Sequence, residues 1–502
     1  MSGFFARLER RMLSTPLSAF FFTFACIVTL RNVLEIYADG STMDPRQFVD
    51  FSLFYLALGL SLLLLLRLLA GVRPELALRA VLLGMCIVVM PPLVDMLATA
   101  GRGFNIGYVN PRSWSDALWK LLTFWEGLRF DRATLGIKIE VALASLATAL
   151  WVRHHTGKWR RGLLAGLLVY LLIFTYSILP WLAIQAWSLL GAAPRRMLIH
   201  QRTLMFTILT LTQLVPVLAW TGGRGFTAMC RNLRLTRMAH FLVMPLLGMA
   251  LAGGARFNHW RGVDCLWFYL AMTAAMIYLT IQNDIADSVI DRVANPERPL
   301  SAGAIPLPLY RRMGHVFLGA ALLLGLLAGF RLLLYTAAFI AIYTLYSAPP
   351  LRLKRVPVFS KLLIAANTLL MVLAGYDFAG GNLRQFSAGY IFLFLIIYGV
   401  LINFIDLKDA AGDRAAGIPT LPVILGLRTA QWTMAALFTL FYPLVALAVG
   451  DLRLLWACVP AGLLSAAVSL SRSYGSRHDR AIILISLGVI VVAFLLGLPH
   501  LA

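Results

Sequence analysis

Two stretches of this chain place three aspartates at the same spacing, i, i+3 and i+7, with an arginine after the last. The first reads Asn283-Asp284-Ile-Ala-Asp287-Ser-Val-Ile-Asp291-Arg292 and the second Asp406-Leu-Lys-Asp409-Ala-Ala-Gly-Asp413-Arg414. On a helix that spacing sets all three carboxylates on one face. Carboxylates so close together repel one another and destabilise the fold unless cations neutralise them. Hard oxygen ligands select Mg²⁺ or Ca²⁺ over zinc or copper, and Mg²⁺ takes one or two carboxylates together with phosphate oxygens of a substrate. The repeated cluster therefore suggests a site for a diphosphate bridged by Mg²⁺, with up to six negative charges facing one pocket. One such cluster would read as an acidic helix end in water; two at the same spacing, both at the border of an apolar run, argue against that. Basic groups that would hold a diphosphate and stabilise it as it leaves lie close in sequence: Arg292, Arg298, Lys354, Lys408 and Arg414. Prolines 296, 299, 349, 350, 419 and 422 impose extended or turning backbone just beyond the helix ends.

The elements that must position these groups follow from composition. Of 502 residues, 60% are hydrophobic and 13% charged, with a mean hydropathy of +0.81, against about 25% charged in a soluble protein. Lipid must be the solvent for much of the chain. That excludes a soluble enzyme, a secreted disulfide scaffold and a disordered tail. A spanning helix takes about 20 residues, so the apolar content suffices for about 15. Apolar runs lie near 16–36, 48–71, 78–99, 134–152, 163–187 and 203–220, then near 236–254, 263–283, 314–330, 332–348, 361–376, 387–405, 430–448, 454–471 and 481–499. The expected fold is all-α and polytopic: a six-span module over 1–222 and a nine-span module over 223–502, divided at the basic stretch Arg224, Arg231, Arg234 and Arg237. Trp114–Leu128 carries its indoles and leucines at helical spacing and reads as an amphipathic helix in the interface. Cys26, Cys86, Cys230, Cys265 and Cys458 form no CxxC pair and read as small hydrophobes. Arg7, Arg10 and Arg11 precede the first apolar run without a small-residue cleavage site, so that helix is expected to stay in the membrane.

The net charge of +22 fits basic loops at lipid head groups better than nucleic acid. If the stretch before the seventh span is cytoplasmic, that side of the second module collects 18 Lys and Arg and the opposite side only Arg256, Arg261, Arg331, Arg384 and Arg453. This is the positive-inside pattern. It puts both aspartate clusters on the cytoplasmic side. The first module shows no such bias, because its loop around 100–133 is basic too.

These motifs resemble a known family. The run NDIADSVIDRVANPERPLSAG (283–303) is similar to the first aspartate motif of the UbiA superfamily of intramembrane prenyltransferases and the loop after it. DLKDAAGDRAAGIPTLPVILG (406–426) looks like the second motif with its TLP continuation, and YSAPPLRLKR (346–355) resembles the Tyr-Ser-x-Pro-Pro…Lys loop between them. The resemblance covers roughly the C-terminal 270 residues. It implies a nine-helix bundle and transfer of an isoprenyl group from an allylic polyprenyl diphosphate, through a carbocation, to an aromatic or quinone precursor or a lipid-like alcohol. It also implies two Mg²⁺: one held by Asp284, Asp287 and Asp291 with Asn283, the other by Asp409 and Asp413 with Asp406 as a further ligand or base. Asp284, Asp287, Asp409, Asp413 and Lys354 would carry catalysis. Arg298 and Tyr346, with Asn283, Asp291, Lys408 and Arg414, would contact the diphosphate.

An isoprenoid tail calls for an apolar tunnel, and an allylic cation for exclusion of water. Phe268, Tyr269, Tyr278, Tyr343 and Phe404 are aromatic faces for that cation, or ordinary packing. A bacterial-type inner membrane is the expected setting. Two other readings stay open: a phosphoribosyltransferase acting on polyprenyl phosphate, and a lipid-binding or transport protein without catalysis. The first six spans carry no catalytic motif. Their intramembrane charges, Arg31, Glu35, Asp95 and Glu140, either pair with one another or mark a lipid-binding or transport module.

Overall fold

The computed structural model describes residues 2–39, 45–104, 107–125, 133–189, 197–253, 259–356, 359–415 and 417–495. Among these residues every regular element is helical and there is no strand. Among the described residues thirteen helices are long and apolar enough to cross a membrane. Of the fifteen expected runs, the other two correspond to Leu235–Leu251, an apolar helix of only 17 residues, and Ser476–Leu495, which is not among the thirteen. The chain divides into two compact units, Met1–Phe226 and Thr227–Ala502.

The first unit holds α1 (Ser2–Ser14), α2 (Leu17–Asp39), α3 (Pro45–Ala70), α4 (Pro74–Ala98), α5 (Trp114–Leu122), α6 (Leu135–Thr156), α7 (Trp159–Ser188) and most of α8 (Ile199–Arg231). Helix α4 is discontinuous. Its middle, Met85–Val89, winds as a 3₁₀ turn just before Pro91 and Pro92, which supply no backbone N–H. The Arg31 guanidinium donates to the Val88 carbonyl at 3.0 Å, and the Asp95 carboxylate accepts from the Gly136 amide at 2.9 Å. Broken helix is stable at membrane depth only when such partners satisfy the freed groups. Helix α5 begins at a Ser113 cap but ends earlier than its periodicity suggests. Phe124 and Trp125 adopt positive φ (51° and 59°), which a helix cannot continue. Trp125 turns inward against Tyr170 and Phe174 rather than lying at head-group depth, and Leu128 lies outside the described residues.

The second unit runs α9 (Leu235–Leu251), α10 (His259–Ala286), the short α11 (Ser288–Ala294), α12 (Leu307–Ala328), α13 (Phe330–Ser347), α14 (Phe359–Phe378), α15 (Ala388–Asp406), the short α16 (Ala410–Ala415) and α17 (Leu421–Leu425), α18 (Leu427–Val449), α19 (Leu455–Ser469) and α20 (Ser476–Leu495). Close packing in lipid depends on small residues at helix crossings. Helices α9 and α14 cross where Gly248 faces Val372 and Gly375 faces Pro245. A Cβ on either glycine would lie 1.9 Å from the facing carbonyl oxygen. The first aspartate cluster straddles the end of α10, and the second begins at the last residue of α15. Both clusters sit where a span stops, as their sequence position requires.

Candidate active site

The first cluster is a slightly broken helix rather than one continuous face. Helix α10 ends at Ala286, Asp287 caps α11, and Asp291 sits one turn later. The second departs further: Asp406 closes a 3₁₀ turn, Asp409 lies in the following turn, and Asp413 is on α16.

Each aspartate of the first cluster meets donors from another segment. Asp284, only 1% exposed, accepts from Asn232 Nδ2 at 2.7 Å, Tyr310 OH at 2.9 Å and Arg234 Nη2 at 2.9 Å. Arg298 Nη1 stands 3.5 Å from it and also bonds Asp291, which accepts from Asn295 Nδ2 at 2.9 Å as well. Burial pushes the Asp291 carboxyl up, against the pull of Arg298. Asp287 receives Lys354 Nζ at 2.6 and 2.7 Å, together with Arg352. Asn283 accepts from Ser347 Oγ at 2.7 Å. The Tyr-Ser-Ala-Pro-Pro loop is thus fastened to the first motif by Ser347 at one end and by Arg352 and Lys354 at the other. Arg352 holds φ at 44°, a left-handed conformation that costs a non-glycine residue energy and is kept where surrounding contacts over-determine it. Burial draws the Lys354 ammonium below its usual range, opposed by Asp287.

In the second cluster Lys361 Nζ reaches Asp406 Oδ1 at 2.6 Å, while the buried Asp406 Oδ2 has no hydrogen-bond partner. Asp413 accepts from Thr420 Oγ1 at 3.1 Å, so the TLP continuation folds back onto its own motif. Burial first, and then the neighbouring Asp406, raises the Asp413 carboxyl to about 6. The Asp409 side chain is 56% exposed, 3.5 Å from Lys408 Nζ.

Three groups link the clusters. Tyr346 lies within electrostatic reach of both Asp287 and Asp406 and packs against Tyr343 at 5.6 Å between ring centroids. Arg237 has Tyr343, Tyr346, Asp409 and Asp479 as its electrostatic neighbours. Arg234 stands near both Arg237 and Arg298. Lysines and arginines stand between the acids: Lys354 and Arg352 at Asp287, Arg298 at Asp291 and Lys361 at Asp406. Among the described residues no three acidic, histidine or cysteine side chains converge as a ready-made metal cage.

Of the residues singled out in sequence, the fold gathers Asn283, Asp284, Asp287, Asp291, Arg298, Tyr346, Lys354, Asp406, Asp409 and Asp413. Lys408 is turned toward Asp479 on α20, and Arg292 and Arg414 are exposed. Sequence reasoning missed Asn232, Tyr310 and Asp479, which belong to no motif, and read Arg234, Arg237, Arg352 and Lys361 as basic residues of one membrane side. Of the aromatic faces, Tyr343 reaches the site through Tyr346. Phe268 is fully buried in the core, and Phe404 packs against Phe438.

A turn beyond Arg237, His240 Nε2 shares a 3.0 Å hydrogen bond with Tyr398 OH. Tyr398 in turn lines an apolar cavity of about 170 Å³ with Leu247, Leu251, Tyr390, Phe394 and Tyr442. Helix α9 thus leads from charged residues at one end to a hydrocarbon-like chamber within the bundle.

A model of the UbiA prenyltransferase family matches residues 241–498, which is half of the chain. The chain belongs to the UbiA prenyltransferase family. It is accordingly an all-α, multi-pass integral membrane protein and a transferase of prenyl groups. Its UbiA segment is 30% identical to a digeranylgeranylglyceryl phosphate synthase of Pyrococcus abyssi, over 43% of this chain and 78% of that one. A synthase of the same name from Methanoculleus marisnigri is 34% identical, over 32% of this chain and 57% of the relative. The chloroplastic chlorophyll synthase of Oryza sativa is 29% identical, over 38% and 54%. The match thus spans between about half and three quarters of these relatives. A UbiA homologue from Archaeoglobus fulgidus, solved with DMAPP and Mg²⁺, aligns with a TM-score of 0.42 at 18% identity, over 54% of this chain and 99% of that one.

Proposed function

We propose that this protein transfers an isoprenyl group from an allylic isoprenyl diphosphate to a lipid-like alcohol, on the cytoplasmic side of a bacterial-type inner membrane. The observation that carries this reading is the arrangement of the two aspartate motifs and the Lys354 loop around Tyr346 and Arg237 at the ends of the spans. Each end of the donor has a matching environment. Lys354, Arg352, Arg298 and Arg237 are cations for the diphosphate, positioned to stabilise the charge that develops on it as the C–O bond breaks. The chamber lined by Leu247, Phe394 and Tyr398 takes the tail and keeps water from the allylic cation. Tyr343 and Tyr346 offer aromatic faces at the junction. The acceptor oxygen then bonds to the allylic carbon and gives up its proton; Asp409, open to solvent, is the acid side chain best exposed to receive it. A lipid alcohol is favoured because relatives over this segment include synthases named for a prenylated glyceryl phosphate.

Divalent metal fits the residues present. Asp287, Asp291, Asp406, Asp409 and Asp413, with Asp284 and Asn283 beside them, are hard oxygen donors, and Asp406 Oδ2 is a buried acceptor without a partner. A bound Mg²⁺ would supply charge neutralisation to the leaving diphosphate.

The test is transfer of radiolabelled isoprenoid from its diphosphate to extractable lipid in membranes holding the protein, with and without EDTA. Asp409→Ala and Asp284→Ala are expected to abolish transfer. Full activity in both would overturn the reading. Uptake of pentose from phosphoribosyl diphosphate onto polyprenyl phosphate, with isoprenyl diphosphate untouched, would replace it.

A further inference from the structure

The six-span unit contains a cavity of about 300 Å³ of its own, at the lower end of the range for ligand pockets. Its wall is apolar except at Thr148 and Glu140, and Glu140 is the one ionisable side chain among the lining residues. Among the described residues Glu140 makes no hydrogen bond and no ion pair. The charges nearest to it are Arg31 and Glu35, which are already joined to each other at 2.5 Å. Glu140 is therefore the surplus member of a buried triad, one turn into a membrane span. An ionisable group in that position is costly and is normally kept for function.

A second, independent feature marks the same place. The 3₁₀ break of α4 supplies Met85, Ile87 and Val88 to the wall, and Arg31 bonds the freed Val88 carbonyl. Interrupted membrane helices tend to line substrate sites near the bilayer midplane. Leu83 and Gly84 line the cavity and are exposed on the outer surface as well, so the cavity opens toward lipid.

We propose that this cavity binds one lipid molecule whose neutral, hydroxyl-bearing end donates a hydrogen bond to Glu140 and whose hydrocarbon tail fills the remaining space. A carboxylate-headed lipid would meet Glu140 with like charge. An ammonium-headed one would bring a second cation close to Arg31 and lose its hydration among apolar walls. A hydroxyl avoids both costs and satisfies the carboxylate.

The test uses the full chain in lipid nanodiscs and a long-chain alcohol carrying a diazirine on its tail. Light-induced adducts are mapped by mass spectrometry, and prenyl transfer is measured on every variant as a check of folding. Adducts are expected on peptides containing Met85–Val88 and Ala144–Thr148, and an excess of the unlabelled alcohol should remove them. Glu140→Leu should reduce them at least tenfold, Glu140→Gln, which keeps an acceptor, should retain most of them, and Ala144→Phe, which fills the space, should abolish them. Labelling that survives Glu140→Leu unchanged overturns the proposal. So does stronger labelling by the amine or carboxylate of equal chain length, or failure of unlabelled alcohol to compete in the unmodified protein.

Discussion

The Lys361–Asp406 pair offers the sharpest test of how the site is built. The ammonium lies 2.6 Å from Asp406 Oδ1, the side chains are 10% and 11% exposed, and the other carboxylate oxygen is buried without a partner. Lys361→Met keeps the length and apolar stem of the side chain but leaves a buried carboxylate with nothing on either oxygen. Removing one member of a buried pair costs about 3–5 kcal/mol. At about 2 °C per kcal/mol for a unit of this size, the melting temperature should fall by roughly 6–10 °C in EDTA. If Asp406 also belongs to a metal site, Mg²⁺ at a hundred times its Kd returns about 2.7 kcal/mol, most of what was lost. The assay is thermal unfolding of the purified protein in nanodiscs, unmodified and variant, each in EDTA and in Mg²⁺. The variant should show both the fall and a larger Mg²⁺-dependent recovery than the unmodified protein. A variant as stable as the parent in EDTA would refute the burial argument. A fall that Mg²⁺ leaves untouched would remove Asp406 from the metal site while keeping the pair.

Arg237→Met removes a cation placed among Tyr346, Asp409 and Asp479; at about 1.5–3 kcal/mol for a hydrogen bond to a charged group, kcat/KM should drop roughly 10- to 150-fold, with Arg237→Lys in between. An unchanged value would exclude Arg237 from the site. Gly375→Val must push α9 and α14 apart, because its Cβ would lie 1.9 Å from the Pro245 carbonyl oxygen. Overpacking of this kind costs about 1–3 kcal/mol or more, whereas Gly319→Ala, with nothing within 4 Å, should leave the melting temperature within a degree or so; equal effects would contradict the crossing. In a cysteine-free background, a cysteine at position 355 should react with impermeant maleimide from the cytoplasmic side and one at 384 from the other, and labelling of both from one side would reverse the orientation argument.

What was legible in the sequence is what depends on local pattern. Spans appear as apolar runs, and the aspartate motifs as charge at their ends. The Ser347–Asn283 and Lys354–Asp287 contacts join motifs that sequence had already set side by side. Asn232 and Tyr310 were not legible because they act across 52 and 26 residues of chain and neither differs locally from an ordinary polar residue at a helix end; Lys361, 45 residues from Asp406, was visible only as one more basic residue near the membrane border. Arg234 and Arg237 were visible but were assigned one role, orientation, although the same charge near the membrane border can also face a site. The Gly248–Gly375 crossing had no signal either, since Gly319 sits in an equally apolar run and touches nothing. The expected uniform face of three aspartates failed for a physical reason: cations from other segments have to reach each acid, and the helix breaks at Asp287 and over 407–409 let the acids point to different partners.

That pairing also bears on how a diphosphate could enter. A pocket holding only aspartates would repel a phosphate, and one holding only lysines and arginines would have nothing to hold a divalent ion. Here Lys354 and Arg352 stand on Asp287, Arg298 on Asp291 and Lys361 on Asp406. In the proposed reaction, a phosphate oxygen that takes over one of these cations releases the carboxylate it was bound to, and the carboxylate becomes available to metal arriving with the same substrate. The number of charge pairs is conserved through the exchange, so the large cost of exposing an unpaired charge in a partly buried site is never met in full. Asp284 is the exception, held by Asn232, Tyr310 and Arg234 together, and its three donors make it the slowest to exchange. The balance of acids and bases, rather than an excess of acids, is therefore what suits this site to a substrate that brings both signs of charge with it.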